Sequence, residues 1–285
     1  MPSRKTPTAR QRRLGTELRR MRECAGLNLV QAATTLGTDR TSISNIESGR
    51  FGVSAERVRA WSQLYECGDG DYVDALARMA GERHKGWWEE YREHLGAGAL
   101  DLAELEHHAR DLRSVQIMHM PGLLQTESYT RAVFSHAVPT LNSDALRRRL
   151  SHRLRRRDVL DRMNPPSCTF LIHEAALRLE FGGPEVSHTQ LRHILDESER
   201  PNVTVRVIPF AAGGFPNAGS STMYASGPVP QLDTVQTDTP TGPAFIDAES
   251  RLVNYRAILD RTEERSLTPQ LSRDFIHQLT QQRQA

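Results

Sequence analysis

The chain is 285 residues long, 38% hydrophobic and 25% charged with a mean hydropathy of -0.56, values that fit two globular domains and exclude a largely disordered chain. No run approaches the ~18 consecutive apolar residues of a membrane helix, and the opening MPSRKTPTARQRRL lacks the apolar stretch of a secretion signal, so a cytoplasmic protein is expected. The net charge of +2 hides an asymmetry: residues 1–60 hold 12 Lys and Arg against 5 Asp and Glu, a net +7, and the remainder is net −5, as expected if only the head meets an anionic partner.

Residues 1–11 are polar and basic with two prolines and read as a flexible arm. Leu14, Leu18 and Met21 then recur at helical spacing until Ala25-Gly26 stops the run. Asn28 can cap a short second helix through Leu36, with Gly37 supplying the positive φ of a tight turn. Thr38 is the expected cap of a third helix, DRTSISNIESG, whose Ile43 and Ile46 point inward and which ends at Gly49. Val58, Trp61 and Leu64 mark a fourth helix, and Tyr72, Leu76 and Met79 a fifth, so residues 12–80 read as a five-helix head on one small core.

Residues 81–86, GERHKG, are a plausible hinge to a body spanning 87–285. The body's pattern is helical to about Arg113, with a Pro-Gly turn at Pro121-Gly122. Cys168–Ile172, Val203–Phe210, the segment STMYA and the region 233–247 read as strands, and Asp247 and Thr268-Pro269 begin two closing helices. The expected fold class is therefore mostly α, a helical head joined to an α+β body of helices and short strands. Cys24, Cys67 and Cys168 are widely spaced and odd in number, forming neither a disulfide framework nor a zinc pattern, and read as packing residues.

The string GLNLVQAATTLGTDRTSISNIESGR, residues 26–50, has a leucine-rich second helix, a glycine turn and the run Ser42, Ile43, Ser44, Ile46, Glu47, Gly49, Arg50. It resembles the Cro/C1-type, or Xre-type, helix-turn-helix family of transcriptional regulators. With Ile43 and Ile46 inward, helical geometry puts Arg40, Thr41, Ser44 and Asn45 mostly on the outer side of the third helix, where they can read base edges in a major groove. Asn28, Thr38, Ser42 and Arg50 are the candidate phosphate contacts. The resemblance further implies a structural ion pair between Arg22 and Glu47. The family often has Gln where this chain has Leu29 at the start of helix two, a departure that weakens any contact from that helix. The alternative is an ordinary helical bundle with a solvated polar face.

From about Trp87 onward the chain resembles the Scr1-type antitoxin-like domain found behind such heads in actinobacterial regulators. The resemblance is carried by three blocks, Val115 to Phe134, His173 to Ile194 and Glu199 to Pro216. It implies a regulator encoded beside a small partner protein and supplies no ligand or catalytic residue. In LRRRLSHRLRRRDVLDR, residues 146–162, Leu146, Leu150 and Leu154 form one stripe and Arg147, Arg148, Arg149, Arg153, Arg155, Arg156 and Arg157 surround it. They form either a second phosphate-contacting surface or an anchor for an acidic partner or, in the favoured reading, a surface helix paired with carboxylates of the acidic body.

His107-His108, His173-Glu174 and His188 sit in no H-E-x-x-H, C-x-x-C, G-x-S-x-G or phosphate-loop pattern, so no catalytic residue, metal ligand or cofactor is expected and the chain does not read as an enzyme. The loop AAGGFPNAGSS, residues 211–221, could gate a small-molecule pocket or be a plain turn. The expected partner is double-stranded DNA, bound by a homodimer at the nucleoid, with a small partner protein or an unknown small-molecule ligand as the alternatives for the body and no membrane partner.

Overall fold

The computed structural model describes residues 6–82, 86–239 and 242–282. The beginning of the expected basic arm, residues 1–5, and residues 83–85 of the expected hinge lie outside the described residues. The chain divides into two compact units, Met1–Trp87 and Trp88–Ala285.

Among the described residues the first unit holds five helices, α1 (Ala9–Cys24), α2 (Leu29–Thr35), α3 (Arg40–Glu47), α4 (Ala55–Leu64) and α5 (Gly70–Gly81). Helix α1 starts inside the segment expected to be an arm. The cause is a capping box: the Thr8 hydroxyl accepts from the Gln11 amide at 3.2 Å, and the Gln11 side chain accepts from the Thr8 amide at 3.0 Å. Leu14, Leu18, Met21, Ile43, Ile46, Val58, Trp61 and Leu76 are buried. Leu64, expected inward, is 46% exposed, and the next residue, Tyr65, is buried in its place at 4%. Cys24 is exposed and does not pack, whereas Cys168 is buried.

Three glycines with φ between 60° and 72°, Gly26, Gly37 and Gly49, end α1, α2 and α3. Each is closed by the same pair of backbone bonds, for α2 Thr38 N to Ala33 O at 3.0 Å and Gly37 N to Thr34 O at 3.3 Å. Helix α1 crosses α3 at very short range. A Cβ on Gly15 would lie 2.4 Å from the Glu47 carbonyl oxygen, and one on Gly49 would lie 2.9 Å from the backbone of Gln11 and Arg12. Both positions therefore require glycine, Gly15 for closeness alone and Gly49 for closeness and backbone conformation.

Among the described residues the second unit is built on a six-stranded sheet in the order β3-β2-β1-β4-β5-β6. Helix α6 (Ala97–His108) leads into β1 (Asp111–Gln116), and α7 (Glu127–Ser135) and α8 (Ser143–Arg155) connect β1 to β2 (Ser167–His173). Helices α9 (Glu174–Arg178) and α10 (Pro184–Glu197) connect β2 to β3 (Val203–Ile208). These three strands are parallel; β4 (Thr222–Ser226), β5 (Thr234–Thr239) and β6 (Gly242–Ile246) extend the other side antiparallel. Helices α11 (Glu249–Glu264) and α12 (Pro269–Gln282) close the chain.

Alternation along the strands makes two cores. Leu112, Phe170, Ile172, Val205 and Val207 face Tyr129, Leu177, Leu191, Ile194, Ile276 and Leu279, from α7, α9, α10 and α12. Val115, Leu171, Ile208 and Tyr224 face Leu252 and Leu259 of α11 on the other side. Residues 111–113, read as the end of a helix, are instead the start of the central strand. DLRSVQ buries Leu112, Ser114 and Val115, and its pairing with β2 and β4 overrides the helical pattern upstream. Helix α11 starts after Ala248, which gives no side-chain cap, rather than at Asp247. The expected mixed body of helices and strands is present.

Replacing Gly15 with Ala forces α1 and α3 apart. The expected loss is about 1–3 kcal/mol, the usual cost of overpacking, read as a lower urea midpoint for the head's transition; an unchanged midpoint contradicts the close crossing.

Candidate nucleic-acid interface

The third helix is held by Glu47 at its C-terminal end. Arg22 of α1 grips the Glu47 carboxylate with two bonds, Nε to Oε1 at 2.6 Å and Nη2 to Oε2 at 2.9 Å, and its Nη1 donates to the Leu27 carbonyl at 2.7 Å. Both side chains are buried, 7% and 6% exposed. The hydrogen bond to Glu47 raises the Arg22 pKa above its ordinary value despite burial. Tyr65 beside them is pushed up to about 12, first by burial and then by the Glu47 charge. The pair spans α1 and α3, and the Leu27 bond adds the turn before α2.

A second buried network, which sequence reasoning missed, ties α1 to α5. Glu17, 1% exposed, accepts from Tyr72 Oη at 2.6 Å and pairs with Arg13 at 2.7 Å and Arg20 at 2.6 Å. The visible signal was an acid at the core-facing i+3 position after Leu14.

With Ile43, Ile46 and Glu47 inward, α3 presents Arg40, Thr41 and Ser44 exposed and Asn45 half-buried. Asn45 also serves the helix end, since its backbone carbonyl accepts from Arg50 and Phe51 at 2.9 and 3.1 Å. Arg50 is exposed beside Gly49.

The expected cap of α3 needs correction. Thr38 donates its amide back to Ala33 and belongs to the closure of α2, so the cap falls to Asp39. The Asp39 carboxylate accepts from the Ser42 amide at 2.8 Å and the Ser42 hydroxyl at 2.7 Å. Those bonds hold the Asp39 pKa below the ordinary aspartate range. The carboxylate occupies donors that a phosphate would use and places a negative charge at the helix tip, while Ser42 spends its hydroxyl on Asp39. At α2, Asn28 accepts from the Val30 and Gln31 amides at 2.9 and 3.0 Å, and Gln31 closes the box on Asn28.

In the second unit, the arginine run is largely paired with carboxylates. Arg156 is bound by the buried Glu106 at 2.5 and 2.7 Å, Arg155 meets Glu90, and Arg147 and Arg148 share Asp144. Leu150 is buried while Leu146 and Leu154 are half-buried. His173 caps α9, its Nδ1 accepting from the Ala175 amide at 3.3 Å, and packs on Phe210 and Phe215. Glu174 accepts from the Phe210 amide at 2.7 Å, and His107 and His108 pack against Trp88 at tilted and edge-on angles. Among the described residues no group of three or more His, Cys, Asp or Glu is placed to hold a metal ion, and no helix is long and apolar enough to cross a membrane.

Residues 13–76 match a family model described as a helix-turn-helix domain. The head is a helix-turn-helix domain, a class that suggests a DNA-binding regulator. Residues 99–278, well over half of the chain, match the model described as "Domain of unknown function (DUF5753)", and the chain belongs to that family. No curated protein and no solved structure matches it.

Replacing Glu47 with Ala strands the Arg22 guanidinium in the core. The head is expected to lose about 3–5 kcal/mol, the cost of breaking a buried pair from one side, seen in chemical denaturation; a loss below about 1 kcal/mol, the scale of a surface pair, contradicts a clamping role.

Proposed function

We infer that the protein is a sequence-specific, Cro/C1-type DNA-binding transcriptional regulator in which α3 enters the major groove. The observation that carries this reading is the division of α3: its apolar and Glu47 face is locked to α1, and Arg40, Thr41 and Ser44 stand exposed with Asn45 at their margin. Arg can fork onto guanine O6 and N7, Asn onto adenine N6 and N7, and Thr or Ser can contact several base edges. The basic head supplies phosphate attraction, with Arg50 beside the helix end as the best placed of the expected contacts. Asp39 at the tip disfavours a phosphate there, so affinity comes from side-chain cations rather than from the N-terminus of α3. The protein acts as a homodimer on a two-fold site, because one short helix reads few base pairs. The DUF5753 unit serves dimerisation and regulation, and the reading gives it no catalytic role.

Fluorescence anisotropy of the full chain with DNA from just upstream of its own gene, at several salt concentrations, tests the reading. Tight binding that falls steeply with salt is expected, with Arg40→Ala losing site preference and Asn45→Ala losing discrimination equivalent to about 1–3 kcal/mol for one base contact. Full preference over scrambled DNA in both variants contradicts the assignment of the reading face.

A further inference from the structure

Among the arginines of the 146–157 run, Arg153 is placed differently. Arg156 is matched by Glu106, whereas Arg153 has no carboxylate within 4 Å among the described residues. Its hydrogen bond is a single one from Nη1 to the neutral Gln125 Oε1, at 3.1 Å. Gln125 is itself fixed, 2% exposed, by donating to the Met120 carbonyl at 2.8 Å and accepting from Thr130 at 3.2 Å. The Arg153 guanidinium lies over the Phe134 ring, 5.2 Å from its centroid. Its tip lies against Gly122, where a Cβ would come within 3.0 Å of Arg153 Nη1 and 3.3 Å of Arg156 Nη2. The group is thus held on three sides, by an amide, a ring and a bare backbone.

That setting leaves a particular edge unused. With Nη1 committed to Gln125, the Nε and Nη2 donors carry no hydrogen bond among the described residues, and they form the side of the guanidinium that matches two oxygens of a carboxylate or phosphate. Arg153 and Gly122 are half-buried, and neither Nε nor Nη2 is sealed in the core, so the edge is open to an arriving ligand. Burial and the adjacent Arg156 pull the Arg153 pKa down to about 9, against the smaller opposing pull of Glu106 and Asp238. Asp238 is exposed and accepts from Gln236 at 2.8 Å, and it forms no ion pair with Arg153. A screened cation short of countercharge costs free energy that an arriving oxyanion recovers.

We propose that the free Nε/Nη2 edge of Arg153, fixed by Gln125, Phe134 and Gly122, is the anion-receiving element of a small-molecule site in the DUF5753 unit, taking a ligand that carries a carboxylate or phosphate group. Arg156 contributes positive potential while remaining bound to Glu106. The site is independent of the DNA-reading face of the head, and its test needs no DNA.

Thermal unfolding of the full chain with inorganic phosphate, citrate or sodium chloride, matched in ionic strength, tests the site with those anions as probes. A ligand that binds only the folded state raises its melting temperature in a saturable way, whereas general exclusion of phosphate from the surface raises it without saturation and in every variant. The expected result is a saturable rise above the chloride control with phosphate, citrate or both. The rise is absent in Arg153→Met and intact in Arg149→Met, which removes an exposed cation from the same helix. Arg153→Lys keeps the charge without the fork and should need about tenfold more anion, equivalent to one charge-assisted hydrogen bond. A response to phosphate alone points to a phosphate ester, and to citrate alone to a carboxylic acid. No rise beyond chloride with either probe, or an undiminished response in both Arg153 variants, overturns the proposal.

Discussion

Everything the head presents outward depends on how Glu47 is held. Its carboxylate is gripped by Arg22, and its backbone carbonyl fits against Gly15 at a distance that no other residue permits. The first contact sets the rotation of α3 about its own axis and the second sets its distance from α1. Gly49 adds a third constraint by lying on the first turn of α1, whose start is fixed by the Thr8 and Gln11 box. A helix of only eight residues has little stability of its own. It is ordered by this docking and by its Asp39 cap, and the exposed side chains inherit that order.

The two units solve different problems. The head ends α1, α2 and α3 at left-handed glycines and buries the ion pairs Arg22–Glu47 and Arg13–Glu17. The second unit has a sheet with helices on both faces and a large apolar core, and its charged groups mostly settle at the margins. Arg113 and Arg206, for example, point from the sheet to Glu263 on α11. Among the described residues Arg156 is the one arginine of this unit that is buried, and Glu106 meets it. Arg153 follows it inward without a carboxylate, and that difference singles it out among the neighbouring arginines.

Much of the head was legible because its signals are local. Asn28, Gly37 and Gly49 each fix a boundary within a few residues, and Ile43 and Ile46 orient α3. The errors arose where two adjacent residues compete for one role. Thr38 and Asp39 can both cap a helix, and the backbone closure at Gly37 uses the first and leaves the second. Leu64 and Tyr65 can both face the core, and the helix ends so that Tyr65 does. In the second unit the strands rich in Val and Ile were visible, but DLRSVQ was not, because its place at the centre of the sheet comes from pairing with strands more than fifty residues away. Glu17 and Glu106 look like surface acids in sequence, and only the tertiary fold shows each beside its arginine.

The central claim is that α1 locks α3 so that one face of α3 meets DNA. Hydrogen exchange on the full chain, free and bound to a duplex selected from a random pool by the protein itself, tests this most directly. The account predicts slowed exchange concentrated in residues 28–51, with α1 already slow in the free protein at its contacts with Glu47. Slowed exchange confined to residues 97–282, with 28–51 unchanged, would contradict it.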